Sequence, residues 1–400
     1  MITPTVHHGA MFDTNELVIN MGPQHPSTHG VLRVVLRLDG EKVVDADVVI
    51  GYLHRGIEKL SENRDWTQII LLTDRMDYVA AATNNVGYCE TVEKLMSLEV
   101  PRRTRYIRTI LCELQRIASH CLWVGTHAMD IGAMTVFLYA FRERELILDL
   151  FEEFCGARLT YNSMRIGGLP LDLPPGWDKK VLEFCRIMDR KVDEYEELLT
   201  HNRIWLERTR GIGVIAGPEA VALGLSGPAL RGSGVPHDVR KDEPYAAYDE
   251  MAFDVPVGST GDTYDRYLVR MEEFRQSLRI VEQALKKLPK GPVMTSNRKV
   301  APPPRSELGH SMEAVIHHFK LWTEGFNAPV GQIYQAIESP RGELGVFLAG
   351  NGGPRPHRVH WRTPSFANLQ PLNLLSANHF VADVVGIIGS IDIVLGDVDR

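Results

Sequence analysis

The chain has 400 residues, 44% of them hydrophobic and 24% charged, with a formal net charge of −7. That is globular composition with room for a large core, and its interspersed, slightly acidic charge argues against a nucleic-acid partner. The five cysteines, Cys89, Cys112, Cys121, Cys155 and Cys185, form no C-x-x-C pair. This fits a reducing compartment and supplies no cysteine motif for zinc or an iron–sulfur cluster. No apolar run is long enough to span a bilayer, and Met1 to Ala10 lacks the basic-then-apolar order of a signal peptide. The expectation is a cytosolic chain able to dock on a membrane complex.

One stretch places two imidazoles and two prolines in nine residues, Gly22-Pro23-Gln24-His25-Pro26-Ser27-Thr28-His29-Gly30. Alternating apolar runs follow, Val31 to Leu38 and Lys42 to Ile50, separated by Asp39-Gly40, a strong hairpin signal. The histidines therefore sit in a constrained loop beside a rigid hairpin. Their i, i+4 spacing is that of a helical zinc pair, but Pro26 and Gly30 oppose a helix and no Glu follows His25. A turn residue and an imidazole aimed into a cavity both remain open readings.

Helical patterns come next. Ser61 to Asn85 is one. Pro101 suits the first turn of another, with Ile107, Ile110, Leu111, Leu114, Ile117 and Leu122 as its stripe and Gly125 as its close. Met134 to Phe154, Trp177 to Leu199 and Thr263 to Leu288 complete the long elements, and together they predict an antiparallel helical bundle. The Gly-rich stretch 211–234 has the form G-x-G-x-x-x-G, which misses the dinucleotide fingerprint and favours close backbone packing. Ala301-Pro302-Pro303-Pro304-Arg305 is a stiff connector. Gln332 to Glu338 and Glu343 to Ala349 flank Ser-Pro-Arg-Gly as a hairpin, His357 to Arg362 reads as a strand, and Leu372 to Ser390 as a helix. The predicted class is α+β, with an N-terminal β region (1–60), a helical bundle core with a Gly-rich insertion (61–290) and a C-terminal α/β region (291–400), in one compact unit.

Several segments together resemble the 49 kDa subunit family of respiratory complex I, including the bacterial members of that family in NADH–quinone oxidoreductase. They are Gly22 to Arg33, Gly51-Tyr52-Leu53-His54-Arg55-Gly56-Ile57-Glu58-Lys59, Asp74-Arg75-Met76-Asp77-Tyr78, Arg142-Glu143-Arg144-Glu145 and Gly386 to Arg400. The resemblance covers essentially the whole chain. That family is similar in turn to the nickel–iron hydrogenase large subunit, whose fold the resemblance implies. The hydrogenase thiolate pairs would fall on Asp77 and Ala80, and on Val394 and Asp397. None of these is a soft ligand, so nickel has nothing to hold it, and no metal is expected on this chain.

The resemblance implies a quinone-headgroup site in the vacated pocket. His29 and Tyr78 would be the headgroup ligands and Asp130 the carboxylate behind His29. His25 and Thr135 would line the site, and Arg55, Glu58, Arg75 and Asp77 would support it. Quinone (ubiquinone or menaquinone) is then a substrate. Its electrons would come from an iron–sulfur cluster in an adjacent subunit. Implied partners are that iron–sulfur subunit, other peripheral-arm subunits and a membrane subunit at the quinone entry. The implied location is peripheral, on the cytoplasmic side of the bacterial inner membrane.

Many relatives carry a histidine soon after the Gly-x-Arg segment. Here Gly156-Ala157-Arg158-Leu159-Thr160-Tyr161-Asn162 has Thr160 and no imidazole, which suits a low-potential quinone such as menaquinone. By residue type alone, Tyr78 could be a core tyrosine, Asp130 an N-cap for a helix starting near Ile131, and Arg55 a partner for Glu58. The competing functions are an active hydrogenase-like metalloenzyme and a purely structural scaffold.

Overall fold

The computed structural model describes residues 16–400. Strands β1 (Glu16–Met21), β2 (Arg33–Asp39) and β3 (Lys42–Val49) form an antiparallel sheet in that order. The alternation of β2 buries Val34, Leu36 and Leu38, as a half-buried strand requires. Asp39 pairs with Lys42, and Gly40 takes φ 61° in the turn between them. β1 is a strand that the sequence pattern does not announce. Because it pairs with β2, the histidine loop joins two strands of one sheet and is pinned at both ends.

The helices in chain order are α1 (Ile57–Glu62), α2 (Ile70–Thr73), α3 (Ala81–Leu95), α4 (Arg102–Asp130), α5 (Met134–Cys155), α6 (Trp177–Leu199), α7 (Arg203–Thr209), α8 (Gly217–Ala222), α9 (Gly227–Gly232), α10 (Val239–Asp242), α11 (Thr263–Lys286) and α12 (Met312–Thr323). A second antiparallel sheet follows, β4 (Gly331–Ser339), β5 (Gly342–Gly350) and β6 (Pro356–Arg362). The chain ends in α13 (Pro364–Leu369), α14 (Leu372–Ser376), α15 (Val381–Ile391) and α16 (Leu395–Asp399). α4 packs on α5 and α11, and α6 closes the bundle against both of these. The α+β class is as expected, with a helical bundle at its centre.

Three expected boundaries move, each for a local reason. The single helix over Ser61 to Asn85 is three pieces. Asp65 Oδ1 accepts the Thr67 and Gln68 N–H groups at 2.9 and 2.8 Å, and Asp77 Oδ1 accepts Val79 N–H at 3.1 Å; such side chains offer the backbone an alternative to the helix. Gly125 does not end α4. It lets α5 approach closely: a methyl there would lie 3.3 Å from Phe137 Cα. Leu372 to Ser390 is two helices, interrupted at Asn378, which takes φ 67°. In the Gly-rich stretch, a methyl on Gly227 would lie 2.4 Å from Gly342 Cα, so close packing is indeed its use.

The described residues form two apolar cores. The larger fills the bundle. The smaller joins the first sheet to the chain's end: Leu32, Val34 and Leu36 pack with Ile215, Leu230, Leu369, Ile387 and Leu395. Backbone bonds reinforce this, Val43 N–H to His379 O and Asn378 N–H to Val43 O, both 2.9 Å. The N-terminal sheet and the C-terminal helices are thus one packing unit, which brings the histidine loop to the last turn of the chain.

A buried charged network crosses the bundle. Arg240 bonds Asp238 at 2.7 Å and Glu113 at 3.1 Å, and Glu113 also accepts Tyr248 and Ser277 hydroxyls at 2.6 Å each. Arg231 bonds Glu273 at 3.1 Å and Glu338 at 2.8 Å, and His120 Nε2 lies 2.8 Å from Glu273 Oε2. Burial alone would raise the Glu273 carboxyl, but Arg231 and His120 hold it well below the usual range. Buried charges survive only when paired. Arg240→Met, which leaves Asp238 only Arg231 at 3.6 Å and Glu113 only Arg116 at 3.3 Å as cationic partners, is expected to cost about 3–5 kcal/mol. Exposed Lys179→Met should stay within about 0.5 kcal/mol of the parent. Urea midpoints of the purified variants check both.

Candidate functional site

The histidine loop is built from its own backbone. Gly22 takes φ 86°, and a methyl there would fall 2.0 Å from Leu32 O. Only glycine permits so tight a crossing. Thr28 donates its N–H and its hydroxyl to His25 O at 3.1 and 2.6 Å, closing a 3-10 turn over Pro26–Thr28. This turn packs on α15. His29 then takes φ 52°, a conformation uncommon outside glycine and often found at functional turns. It turns the ring inward, with 14% of the side chain exposed, and brings Nε2 to 3.3 Å from Asp130 Oδ2. That is ion-pair reach without hydrogen-bond alignment. Asp130 is the last residue of α4, not an N-cap; the next helix is capped at Ala133.

Tyr78 lies in the turns between α2 and α3 that replace the expected continuous helix. Burial, then the adjacent Asp77 charge, raises its phenol above the ordinary value, so the neutral O–H is the resting form. Asp77 is 1% exposed and pairs with Arg341 at 2.8 Å. Arg341 also reaches Asp392 at 3.2 Å and the Ser119 hydroxyl at 3.2 Å. In sequence, Arg341 reads only as part of a hairpin turn. Its charge at a turn that proves fully buried is the one signal that could have singled it out.

The chain's last turns lie between the two halves of the site. A methyl on Gly30 would sit 3.8 Å from the Leu395 side chain. One on the next residue, Gly396, would meet Met76 O at 2.4 Å, the Tyr78 ring at 3.2 Å and the Arg55 guanidinium at 3.3 Å. Leu395-Gly396 is therefore a thin wedge with the His29 loop on one side and Tyr78 on the other. The charges of Asp77 and His29 both reach Asp392. Asp397 is 1% exposed; Oδ2 accepts Ser365 N–H at 3.0 Å and Oδ1 has no hydrogen-bond partner. Burial, then the Asp77 charge, pushes this carboxyl up to about 7. Asp392, Asp397 and Gly396 fall within a motif segment, but nothing in the motif singles them out for these contacts.

The supporting residues divide. Arg55 donates to the Arg75 carbonyl, its own N–H bonds Arg400 O at 3.2 Å, and Tyr78 and Asp399 both act on its charge. It does not pair with Glu58. Glu58 instead takes Arg358 and His360 Nδ1, each at 2.9 Å, and the Trp361 N–H at 3.0 Å, fastening α1 to β6. Asp399 accepts the Gly51 and Leu53 N–H groups at 2.9 and 2.6 Å, so the Gly51–Lys59 motif is clamped to the chain's end. His25 and Thr135 are both exposed, Thr135 in the first turn of α5 beyond the Gly132 turn from Asp130. Thr160 and Asn162 take φ 52° and 44°. The Asn162 N–H bonds Asp74 Oδ2 at 3.0 Å, and burial pushes Asp74 up to about 6. Among the described residues, no three His, Cys, Asp or Glu side chains are grouped to hold a metal ion.

No helix among the described residues is long and apolar enough to cross a membrane. Residues 130–400 match the family described as the 49 kDa subunit of respiratory-chain NADH dehydrogenase. Over 390 residues the chain is 56% identical to a D-type NADH-quinone oxidoreductase subunit of Chloroflexus aurantiacus, covering 97% of this chain and 95% of that one. It is 51% identical to the D-type NADH-quinone oxidoreductase subunit of Geobacter sulfurreducens, covering 98% and 100%. A Roseiflexus protein of the same name is 56% identical over 96% of this chain and 93% of its own. The chain belongs to the 49 kDa subunit family of respiratory-chain NADH dehydrogenase, and is an oxidoreductase subunit that works within a multi-subunit complex.

Proposed function

We propose that this chain forms the quinone-headgroup site of a proton-translocating NADH–quinone oxidoreductase. His29 and Tyr78 are the two proton donors, and Asp130 orients His29. The observation that carries the reading is the 3.3 Å approach of His29 to Asp130, made by a strained loop and a helix end from distant parts of the sequence. Reducing a quinone to a quinol adds two electrons and two protons, one at each carbonyl oxygen. Charge grows on those oxygens, so fixed donors should point at them. An imidazole and a neutral phenol fit that need. Asp130 plays the orienting part of a triad carboxylate. Once His29 gives up its proton, Asp130 loses its cationic partner, and that change of charge is the proposed start of coupling to proton translocation.

Electrons enter from an iron–sulfur cluster held by a neighbouring subunit, and a membrane subunit admits the quinone. The chain itself lies peripherally on the cytoplasmic side of the bacterial inner membrane and carries no metal of its own. Two of the four hydrogenase ligand positions, Asp77 and Asp397, are hard carboxylates already engaged by Arg341 and the Ser365 N–H, and Ala80 and Val394 offer no ligand. Nickel favours none of this set.

Tyr78→Phe and Asp130→Asn are each expected to slow quinone reduction about 10- to 1,000-fold while the complex still assembles. Reduction of an artificial acceptor that draws electrons upstream of the quinone should survive in the same preparations. Wild-type quinone turnover and affinity in both variants would rule the site out. Stoichiometric nickel, retained by the purified chain through dialysis against a chelator, would refute the vacated-pocket reading.

Asp397 supplies a pH test. With its carboxyl raised to about 7, it holds a proton below that pH and loses it above. The carboxylate formed above that pH sets a second buried negative charge against Asp77, the residue preceding Tyr78, and so raises the cost of a tyrosinate there. Quinone reduction is therefore expected to fall as pH rises through about 7, and Asp397→Asn, which cannot ionise, should be flat across that limb. A rate profile from about pH 6 to about pH 8.5, corrected by the artificial-acceptor rate, checks the sign.

A further inference from the structure

A cavity of about 680 Å³ is lined by none of the residues of the proposed quinone site. It lies between the loop 165–170, the connector 293–305 and α12. Its walls are mostly apolar, with Trp322 and Phe326 among them, and they carry Arg165, Arg298, Arg305 and His318 but no carboxylate. Arg298 is neutralised from outside the cavity by Glu307 at 2.9 Å. Arg165 spends its guanidinium on the Asn162 and Met164 carbonyls and the Asn162 amide oxygen. Among the described residues, Arg305 makes no ion pair. A chain of net charge −7 thus presents a locally cationic recess.

The recess continues onto an uncovered helix face. Met312, Val315, Ile316, Phe319 and Trp322 recur along one side of α12 and all are exposed, Phe319 by 65% and Trp322 by 69%. A solvated helix places polar residues on that side and its apolar stripe on the core. Here only Ala314 of α12 is buried. Trp322 belongs to both features, lining the cavity while its Nε1–H donates to His318 Nε2 at 2.8 Å. Aromatic side chains beside an apolar recess with charged groups at its rim are what protein–protein interfaces use as anchors.

We propose that this recess and the α12 face are the docking site for an acidic, apolar polypeptide segment of another subunit of the same oxidoreductase. That segment seats an apolar side chain in the cavity and sets carboxylates against Arg305 and Arg165. The proposal rests on the chain's working inside that complex. Length favours a polypeptide: the stripe from Met312 to Trp322 runs about 15 Å along the helix, and a small molecule filling the cavity leaves it bare. Charge favours an acidic partner, since like charges facing each other disfavour the alternatives.

The test places a photo-crosslinking benzoylphenylalanine at Trp322 in the intact complex, followed by mass spectrometry of the crosslinked peptide. The expected product is one segment of another subunit, carrying Asp or Glu next to apolar residues. The variant Arg305→Glu, at an exposed side chain without an ion pair among the described residues, should lower the crosslink yield about tenfold or more. Four outcomes overturn the proposal: an assembled complex with no crosslink, a crosslink to lipid, a crosslink to a second copy of this chain, or a crosslinked segment without carboxylates. The readout is independent of turnover, so loss of the quinone reading leaves it standing. Failure of the chain to co-purify with any other subunit sinks both.

Discussion

The buried guanidinium of Arg341 is the constraint on which the site's arrangement depends. It stands at the tip of the β4–β5 hairpin, fully buried, between Asp77 and Asp392. Asp77 precedes Tyr78 and Asp392 caps α15, so one cation ties the second sheet, the tyrosine turn and the C-terminal helix to a single point. Burial would make any of these carboxylates costly on its own. With Asp397 also acting on Arg341, three carboxylates share one guanidinium. The imbalance is relieved at Asp397, the carboxyl pushed up to about 7 and able to stay protonated.

The helix end at Asp130 adds a second electrostatic feature. α4 runs to its last turn with Asp130 as its final residue, so the negative end of its dipole and the carboxylate face the same corner. One turn earlier, His127 is fully buried between Trp123 and Trp205, and burial pushes it down to about 3. A methyl on Gly389 would lie 2.2 Å from its Nδ1, so a glycine in α15 is what admits the ring. The corner thus holds a neutral imidazole within the core and the His29 imidazole at its edge.

Much of this is legible in sequence, and what is not follows a pattern. Long elements with a clean stripe, Trp177–Leu199 above all, are readable because a helix that buries one face must repeat its apolar residues. The hairpins are readable from Asp39-Gly40 and Ser-Pro-Arg-Gly. The pattern misleads where a side chain overrules the periodicity: Asp65 and Asp77 break an apparently continuous helix by bonding their own backbone, and Gly125 serves a neighbouring helix instead of ending its own. His29, Tyr78 and Asp130 are identified through resemblance to a family, because residue type alone leaves each with an ordinary alternative. Arg341 escapes notice because its importance comes from two carboxylates far away in sequence, and no local pattern encodes that.

The candidate site draws its parts from distant stretches of the described chain. The histidine loop is fixed by the first sheet, the tyrosine by turns between helices, the carboxylate by the end of the longest helix, and the wedge between them by the last turn of the chain. No two belong to one supersecondary unit. They meet because the first sheet and the C-terminal helices share one apolar core, while the bundle is braced by buried ion pairs that lose much of their value when any one member is removed. A site assembled this way is rigid without being local. Loosening the C-terminal wedge would shift the His29 loop and the Tyr78 turn together, because both pack against it.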